Sequence, residues 1–361
     1  MRRVPLLIVG GGPAGCAAAI TLARGGLKPE LIERTAEPHD IVCGGFLGWD
    51  ALAALRGLGL DPVKLGARPI DRLRLVAKGR AIERRLPKLA AGLSRRCLDE
   101  AMLAAAEGHG ALVRRGVAVR SAEDRSVRTD AGEEIEADAL FLATGKHELR
   151  GLARPVATPK KELAVGLRTS FMPDARSRAE LEGRIELHPF DGGYAGLLMQ
   201  EDGGINLCLS VSSARLREAG GVEALMERLA AEAPLLGSRL QQVGETPWLS
   251  ISNVPYGWRA RGGTGGLYRL GDQAAVIASL AGDGIAIALT SGVAAAQAHL
   301  AGNGAAAYQV GFADRAARPL RVAQTLRWAA EHKLPRRLMF ALARLAPGLA
   351  GTAARMTRIA S

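Results

Sequence analysis

A chain of 361 residues, 48% of them hydrophobic, can bury a full core and favours two joined domains, which excludes a disordered, fibrous or small disulfide-stapled protein. Its net charge of +12 comes from scattered arginines and aromatic residues reach only 4%, so we expect no nucleic acid among its partners. Cys16, Cys43, Cys97 and Cys208 fit neither zinc ligands nor a secreted disulfide framework, so we expect no metal and a cytoplasmic protein.

The first predicted element is an apolar strand at residues 5–9, which enters a glycine-rich turn and then a helix of small residues. The turn reads G-x-G-x-x-G between a strand and a helix, the arrangement that binds the pyrophosphate of a dinucleotide. Removing the first residues as a signal peptide would destroy this turn, so we expect no cleavage. The residues expected to shape the turn and bind the cofactor are Gly10, Gly12, Pro13, Ala14 and Gly15.

A second predicted strand, residues 29–32, ends in Glu33, which Arg34 follows. A carboxylate at this point holds the ribose hydroxyls of an unphosphorylated dinucleotide, so NAD or FAD is favoured over NADP. The next feature is the loop Cys43-Gly44-Gly45, whose glycines indicate a close backbone approach to cofactor or substrate. Cys43 itself is either a substrate-side contact or a small apolar filler.

A further strand is predicted at residues 134–142 and runs into Ala143-Thr144-Gly145. Lys146 and His147 follow directly. They could donate a proton or contact a phosphate, but a solvated loop is the favoured interpretation.

Residues 161–261 alternate between apolar runs and turn residues, which predicts an antiparallel sheet with one covering helix. Tyr194, Tyr256 and Trp258 could line an apolar pocket, although aromatic residues in strands are commonly ordinary core. The predicted strands are residues 73–76, 82–85, 164–169, 184–188, 194–199 and 205–210, with a hairpin turn at Asp202-Gly203-Gly204 and a helix at 222–233.

A short strand at residues 267–270 ends in Gly271-Asp272, and a helix rich in glycine and alanine is predicted directly after it. In flavoproteins such an aspartate accepts a hydrogen bond from the ribityl chain, and the helix start faces the pyrophosphate or flavin. Together with Thr144-Gly145 in this order, the motif points to FAD. Asp283 could order a flavin-facing loop, cap the helix, or do both.

The Cys43-Gly44-Gly45 loop and residues 281–292, which include Gly284 and Ile285, resemble the geranylgeranyl reductase family, a branch of the p-hydroxybenzoate hydroxylase-type flavoproteins. The resemblance implies non-covalent FAD, with an arginine of the segment 93–99, best matched by Arg95, beside it. It also implies a catalytic face. The residues that the resemblance places there are Cys43, Gly44, Gly45 and Tyr194.

We therefore predict an α/β protein in which a glutathione-reductase-type, Rossmann-like FAD-binding domain is interleaved with an antiparallel-sheet substrate domain and followed by a C-terminal helical segment. The FAD-binding domain comprises residues 1–70, 91–160 and 262–300, the substrate domain 71–90 and 161–261, and the helical segment 301–361. A second glycine motif is absent from the sequence, so NADH or NADPH would bind only transiently as reductant.

The predicted function is an FAD-dependent oxidoreductase of the geranylgeranyl reductase type that acts on a lipophilic small molecule such as a polyprenyl or polyketide lipid. One alternative is an FAD-dependent monooxygenase that hydroxylates an aromatic or polyketide substrate. The other is a flavin-binding electron-transfer protein, which would lack a ligand-sized cavity.

The C-terminal segment contains a basic amphipathic pattern at residues 334–347, where Leu338, Leu342 and Leu345 share one helical face. Arginines 336, 337 and 344 flank that face. The helix could lie on the anionic inner face of a membrane, or it could dock on the FAD-binding domain as core, which is the favoured interpretation.

Overall fold

The computed structural model describes residues 2–77, 79–155, 163–263 and 265–359, and its strands form two sheets. Numbered along the chain, the strands are β1 (Arg2–Val9), β2 (Glu30–Glu33), β3 (Phe46–Leu47), β4 (Arg68–Ala77), β5 (Arg80–Gly92), β6 (Leu112–Arg115), β7 (Val119–Glu123), β8 (Ser126–Thr129), β9 (Glu134–Leu142), β10 (Ala164–Phe171), β11 (Arg184–Phe190), β12 (Gly193–Met199), β13 (Ile205–Ser212), β14 (Leu249–Val254) and β15 (Leu267–Arg269).

The helices lie between and after these strands. They are α1 (Pro13–Arg24), α2 (Trp49–Gly57), α3 (Arg95–Gly108), α4 (Ala175–Leu181), α5 (Ser213–Ala219), α6 (Val222–Glu232), α7 (Pro234–Leu240), α8 (Gly284–Leu300), α9 (Ala305–Glu331), α10 (Lys333–Leu345) and α11 (Pro347–Met356). Among the described residues, no helix is both long enough and apolar enough to cross a membrane.

The first sheet is the predicted dinucleotide-binding sheet. Its strands lie in the order β6-β2-β1-β9-β8-β7, and β15 pairs with the end of β9. β1 is apolar on both faces because Leu6 and Ile8 pack towards α1 and α8 while Leu7 and Val9 pack into a second core. β1, β2, β9 and β15 are parallel, so their carboxyl ends meet at one edge of the sheet, which is where ligands bind in open α/β folds.

The second sheet lies in the order β14-β10-β13-β12-β11-β4-β5-β3, antiparallel except where β4 pairs with β11. Along β13, Leu207 and Leu209 face a core closed by α4 to α7, whereas Asn206, Cys208 and Ser210 face the opposite side. The predicted α/β fold is confirmed, including the entry of residues 73–76 and 82–85 into this sheet. The prediction of one covering helix is wrong, since four short helices share that face.

Two predictions about helices need correction. Residues 271–273 and 279–281 form short 3-10 turns, and the regular helix begins only at Gly284 rather than directly after Asp272. The amphipathic helix α10 does not dock as core: it packs beside α9 and α11, and none of its residues, all of which are described, is buried. The division into domains stays a prediction, and β3, within residues 1–70, pairs with β5 of the second sheet.

Candidate FAD and substrate site

The glycine turn after β1 has the geometry of a pyrophosphate cradle. Gly10 has φ +111, and a Cβ there would lie 2.4 Å from the carbonyl oxygen of Ala143. A Cβ on Gly15 would lie 1.9 Å from the carbonyl oxygen of Gly10, which shows how closely α1 packs on the turn. Within the described chain α1 has no side-chain cap at Gly12, so its first N–H groups are available to phosphate oxygens.

Glu33 ends β2 beside this turn. Its carboxylate accepts hydrogen bonds from the N–H of Gly11 at 2.7 Å and from the N–H and hydroxyl of Thr35 at 3.0 and 2.8 Å. Burial works against ionisation, but these donors outweigh it and lower the pKa of Glu33 below its usual range. The side chain is therefore ionised and held in place where it can accept bonds from ribose hydroxyls.

Replacing Glu33 by alanine is expected to weaken FAD binding by about 1–3 kcal/mol, because charge-assisted bonds to the adenosine ribose are lost. The dissociation constant is measured by quenching of flavin fluorescence, and activity at saturating FAD should be retained. The matched control is Glu37→Ala, an exposed acid on the loop that follows. An unchanged dissociation constant for the Glu33 variant would mean that this carboxylate does not bind the ribose.

Arg95 opens α3 directly opposite the glycine turn. Its Nε and Nη2 donate to the two carboxylate oxygens of Asp99 at 2.8 and 2.7 Å. Burial opposes the charge on Arg95, but Asp99 more than compensates and the pKa of Arg95 is raised. A Cβ on Gly12 would lie 3.2 Å from Nη2 of Arg95, so a fixed positive charge stands beside the pyrophosphate cradle.

The loop that contains Cys43 is held by the second sheet. Arg168 on β10 donates to Asn206 at 2.8 Å and pairs with Asp40 at 3.1 Å. Asn206 in turn donates from Nδ2 to the carbonyl oxygen of Cys43 at 3.0 Å. The buried polar chain thus fixes the Cys43 loop between the two sheets.

Lys146 is partly buried and ion-paired, which corrects the favoured interpretation for this side chain, whereas His147 and Glu148 beside it are exposed, as a solvated loop predicts. Its ammonium lies 3.2 Å from the carboxylate of Asp272, whose charge raises the pKa of Lys146 above its usual value. The next residue, His147, lies 3.0 Å from Nη2 of Arg34. Burial, and then the charge of Arg34, lowers the pKa of His147, which favours the neutral imidazole.

A second helix start faces the same cleft. Gly271 has φ +56, and its N–H donates to Ser291 at 2.8 Å on α8. Asp283 does not cap α8, which corrects one of its two predicted roles. Its carboxylate is buried and instead accepts bonds from Arg358 at 2.7 Å and from the N–H of Ile359 at 3.0 Å. The loop before Gly284 is therefore ordered by the end of the chain.

These elements enclose one continuous cavity of about 1130 Å³. Every residue predicted to bind the cofactor or to form the catalytic face lines it, except Gly15, which lies beneath the turn. Those residues are Gly10, Gly12, Pro13, Ala14, Glu33, Arg34, Cys43, Gly44, Gly45, Arg95, Thr144, Gly145, Tyr194, Gly271, Asp272, Gly284 and Ile285. Their individual roles stay predictions.

Four hydroxyl groups form a chain on the sheet side of the cavity. Tyr194 on β12 hydrogen-bonds Ser279, and the hydroxyl of Tyr256 lies 2.7 Å from the same Ser279 oxygen and 3.3 Å from Ser210. Burial raises the pKa of Tyr194 well above its usual value, so its phenol is protonated at neutral pH. Tyr194 and Tyr256 therefore line the pocket, whereas Trp258 packs against Val254 and Val276.

Sequence reasoning missed Ser279, and it placed Lys146 in solvent. Nothing in the local pattern around Ser279 marks it, since its partners lie on β12 and near β14. The signal for Lys146 was its position directly after Thr144-Gly145, at the carboxyl end of β9.

The residues at the strand ends fit FAD. Two helices, α1 and α8, begin at this cleft without side-chain caps among the described residues, so their N–H groups can bind phosphate oxygens. Glu33 offers an acceptor for ribose hydroxyls. Asp272, beside Lys146, is partly exposed and offers a second carboxylate. Gly12 and Gly284 leave room where a side chain would obstruct a bound dinucleotide.

Comparisons with known proteins agree with this geometry. Residues 3–150 match the family described as FAD binding domain. A protein named menaquinone reductase from Mycolicibacterium smegmatis is 26% identical over 312 residues, which cover 82% of this chain and 76% of that protein. The chloroplastic geranylgeranyl diphosphate reductase of Oryza sativa subsp. japonica is 26% identical over 330 residues, covering 84% of this chain and 67% of its own length.

Among solved structures, a flavin-dependent brominase superposes with a TM-score of 0.79 at 16% identity, covering 98% of this chain and 93% of its own. That likeness concerns the fold alone. The resemblance to the geranylgeranyl reductase family is confirmed by the sequence relatives, and FAD is confirmed as the cofactor by the matched family. The chain is therefore an FAD-dependent oxidoreductase, and its residues 3–150 are similar to the FAD binding domain family.

Proposed function

We propose that this oxidoreductase adds hydrogen across a carbon–carbon double bond of a polyprenyl lipid. The observation that carries the proposal is the apolar limb of the cavity, which extends beyond the strand ends that fit FAD. One wall of the limb is the inner face of β4, β5 and β11, and the other consists of α9 and α10. The side chains of the sheet wall are Leu73, Leu75, Ile82, Leu86, Ile185 and Leu187. Those of the helical wall are Leu326, Trp328, Met339 and Leu342.

This lining suits a long hydrocarbon better than a small polar molecule. Each buried CH₂ group is worth about 0.8 kcal/mol, so an isoprenoid tail would gain most of its affinity in the limb. Relatives named for the reduction of menaquinone and of geranylgeranyl diphosphate, two isoprenoid lipids, support the same substrate class. The cavity is also an argument against an electron-transfer protein without a substrate.

Reduction of a double bond requires a hydride on one carbon and a proton on the other. The hydride is the part of the chemistry that reduced FAD would supply when held at the strand ends. Tyr194 supplies the proton, because its neutral phenol faces the cavity and is bonded to Ser279. As Tyr194 gives up its proton, Ser279 donates one to the phenolate and takes one from Tyr256, which is partly exposed and takes its own replacement from solvent. The two electrons for each turnover would come from NADH or NADPH as a transiently bound reductant.

The proposal predicts that reduced protein transfers its electrons to a polyprenyl lipid without oxygen. Under anaerobic conditions the flavin is reduced with NADH, NADPH or dithionite, and geranylgeranyl diphosphate or menaquinone is added. Flavin absorbance near the visible maximum should return, and mass spectrometry, after any quinol formed from menaquinone has been re-oxidised in air, should show products two hydrogens heavier. Flavin that stays reduced with every polyprenyl lipid would contradict the proposal.

The role of Tyr194 is checked with Tyr194→Phe, which keeps the ring and removes the proton. We expect a fall in turnover of about 10²–10⁴-fold with substrate binding retained, the usual contribution of a positioned general acid. Tyr308→Phe, at a buried phenol bonded to Arg269 and Ser291 away from the cavity, is the matched control. Equal turnover in the two variants would remove Tyr194 as proton donor.

The monooxygenase alternative is distinguished by oxygen use. The chain has Thr144-Gly145 where aromatic hydroxylases usually carry Asp-Gly, which favours the reductase. Adding oxygen to the reduced protein with an aromatic acceptor would give a product heavier by one oxygen atom if the alternative were correct.

A further inference from the structure

We propose that α10 and the start of α11 rest on an anionic membrane surface, with the mouth of the cavity opening into the lipid. The proposal goes beyond the reduction reaction, because it concerns a surface outside the FAD-binding edge. It depends on four observations: an exposed leucine face, its attachment from behind, its charge, and its continuity with the cavity.

The leucine face consists of side chains on one side of α10 and at the start of α11. Their exposed fractions range from 44% for Leu342 to 80% for Leu345. This is a contiguous apolar surface in a region where a water-facing helix would carry polar residues. Its members are Leu334, Leu338, Leu342, Leu345 and Leu349.

The helix is fixed so that this face points outwards. Arg336, on the opposite side of α10, donates to Asp191 at 2.6 Å. Arg84 on β5 donates to the carbonyl oxygen of Ala343 at 2.7 Å. Rotating α10 to bury its leucines would break both attachments, so the face needs an external apolar partner.

The charge around the leucine face identifies the partner. Residues 332–361 contain no aspartate or glutamate. Of their cations, Lys333 and Arg336 pair with Asp191 and Arg358 pairs with Asp283. Arg337, Arg344 and Arg355 have no acidic partner among the described residues. Arg337 and Arg344 are exposed on the edge of the leucine face, at helical spacing from it. Leucines that enter the acyl region beside arginines at headgroup level form the pattern of an interfacial helix on anionic lipid.

The leucine face is also continuous with the cavity. Leu338, Leu342 and Leu349 belong to the face and line the apolar limb, as does the exposed Trp328 at the end of α9. A hydrophobic molecule could therefore pass between bilayer and cavity without crossing water, which would cost about 0.8 kcal/mol for each exposed CH₂ group.

The test is sedimentation of the FAD-loaded protein with vesicles of phosphatidylcholine alone or mixed with phosphatidylglycerol, without substrate. We expect binding to the mixed vesicles that weakens as salt is added. Arg337→Glu/Arg344→Glu should lower the partition coefficient about tenfold or more. Leu334→Ser/Leu345→Ser should also lower it, and neither pair lines the cavity, so reduction of a detergent-dispersed substrate should be unchanged.

Matched controls lie on the opposite face of the second sheet and elsewhere on the surface. The control for the arginine pair is Arg217→Glu/Arg228→Glu, two exposed arginines on α5 and α6. The control for the leucine pair is Val63→Ser/Leu112→Ser, two exposed apolar residues away from α10. These controls should bind vesicles like the parent protein. Failure of the parent to bind mixed vesicles at low salt, equal binding to both vesicle types, or an equal loss in the controls would overturn the proposal. The measurement needs no turnover, so it stands or fails separately from the proposed reaction.

Discussion

Replacing Gly12 by valine is expected to give a folded but colourless protein whose affinity for FAD is reduced about 10- to 100-fold. Gly12 has φ −76 and ψ −177, an extended conformation that valine adopts readily, so the substitution does not strain the backbone. Its Cβ would lie 3.2 Å from Arg95, which Asp99 holds in place, and its methyl groups would extend into the space of the pyrophosphate. Overpacking of this kind costs about 1–3 kcal/mol.

The neighbouring glycines would not give so clean a result. Gly10 needs φ +111, and a Cβ on Gly15 would meet backbone at 1.9 Å, so substitutions there destabilise the fold itself. Gly311→Val, at an exposed helical position with open space around its Cβ position among the described residues, is the matched control. Flavin content is measured from absorbance and folding from circular dichroism. A Gly12 variant that retains stoichiometric FAD would show that the pyrophosphate lies elsewhere.

The FAD-binding edge could be predicted because its requirements are local. A strand, a turn without side chains and a helix must follow one another in sequence, so Gly10, Gly12 and Gly15 carry the information within a few residues. Glu33 lies at a fixed distance along the chain for the same reason. The strands of the second sheet were predicted from alternation and turn residues, which are also local.

The contacts that complete the site are not local. Lys146 pairs with Asp272 beyond the ends of two neighbouring strands, β9 and β15, that are far apart in sequence. Tyr194, on β12 of the second sheet, bonds Ser279 on the segment between β15 and α8. Neither pairing leaves a periodic pattern, because each depends on how separate elements are brought together. The orientation of α10 is similar: the pattern predicts an amphipathic helix, but contacts distant in sequence, among them those of Arg84 and Arg336, decide which face is outside.

The partner of Asp283 could not be predicted from the local sequence either, and the pair that they form is expected to contribute strongly to stability. Its partner Arg358 lies at the far end of the chain, stacked 4.3 Å above the ring of Trp49 and donating to a carboxylate that is fully buried. Arg358→Met removes the charge but keeps much of the apolar contact. We expect a loss of about 3–5 kcal/mol in the free energy of unfolding at neutral pH, because the buried carboxylate is left without its cation.

The loss should depend on pH in a defined direction. Burial already raises the pKa of Asp283, against the opposing effect of Arg358, and removing the arginine raises it further. A folded-state pKa above the unfolded value makes the variant most stable at low pH and less stable as pH rises through that pKa. The difference between variant and parent should therefore shrink as the solution is acidified, which urea unfolding at several pH values would measure.

A double-mutant cycle separates the ion pair from the loss of packing. Asp283→Asn removes the charge that needs compensation, so Asp283→Asn/Arg358→Met should be more stable than Arg358→Met alone at neutral pH, by about 0.5–3 kcal/mol of interaction energy. Arg355→Met, an exposed arginine on the same segment, is the control and should change stability little. If Arg358→Met and Asp283→Asn/Arg358→Met unfold at the same urea concentration, Asp283 is not charged in the folded protein. The end of the chain would then be held by Ile359 and the stacking on Trp49 instead.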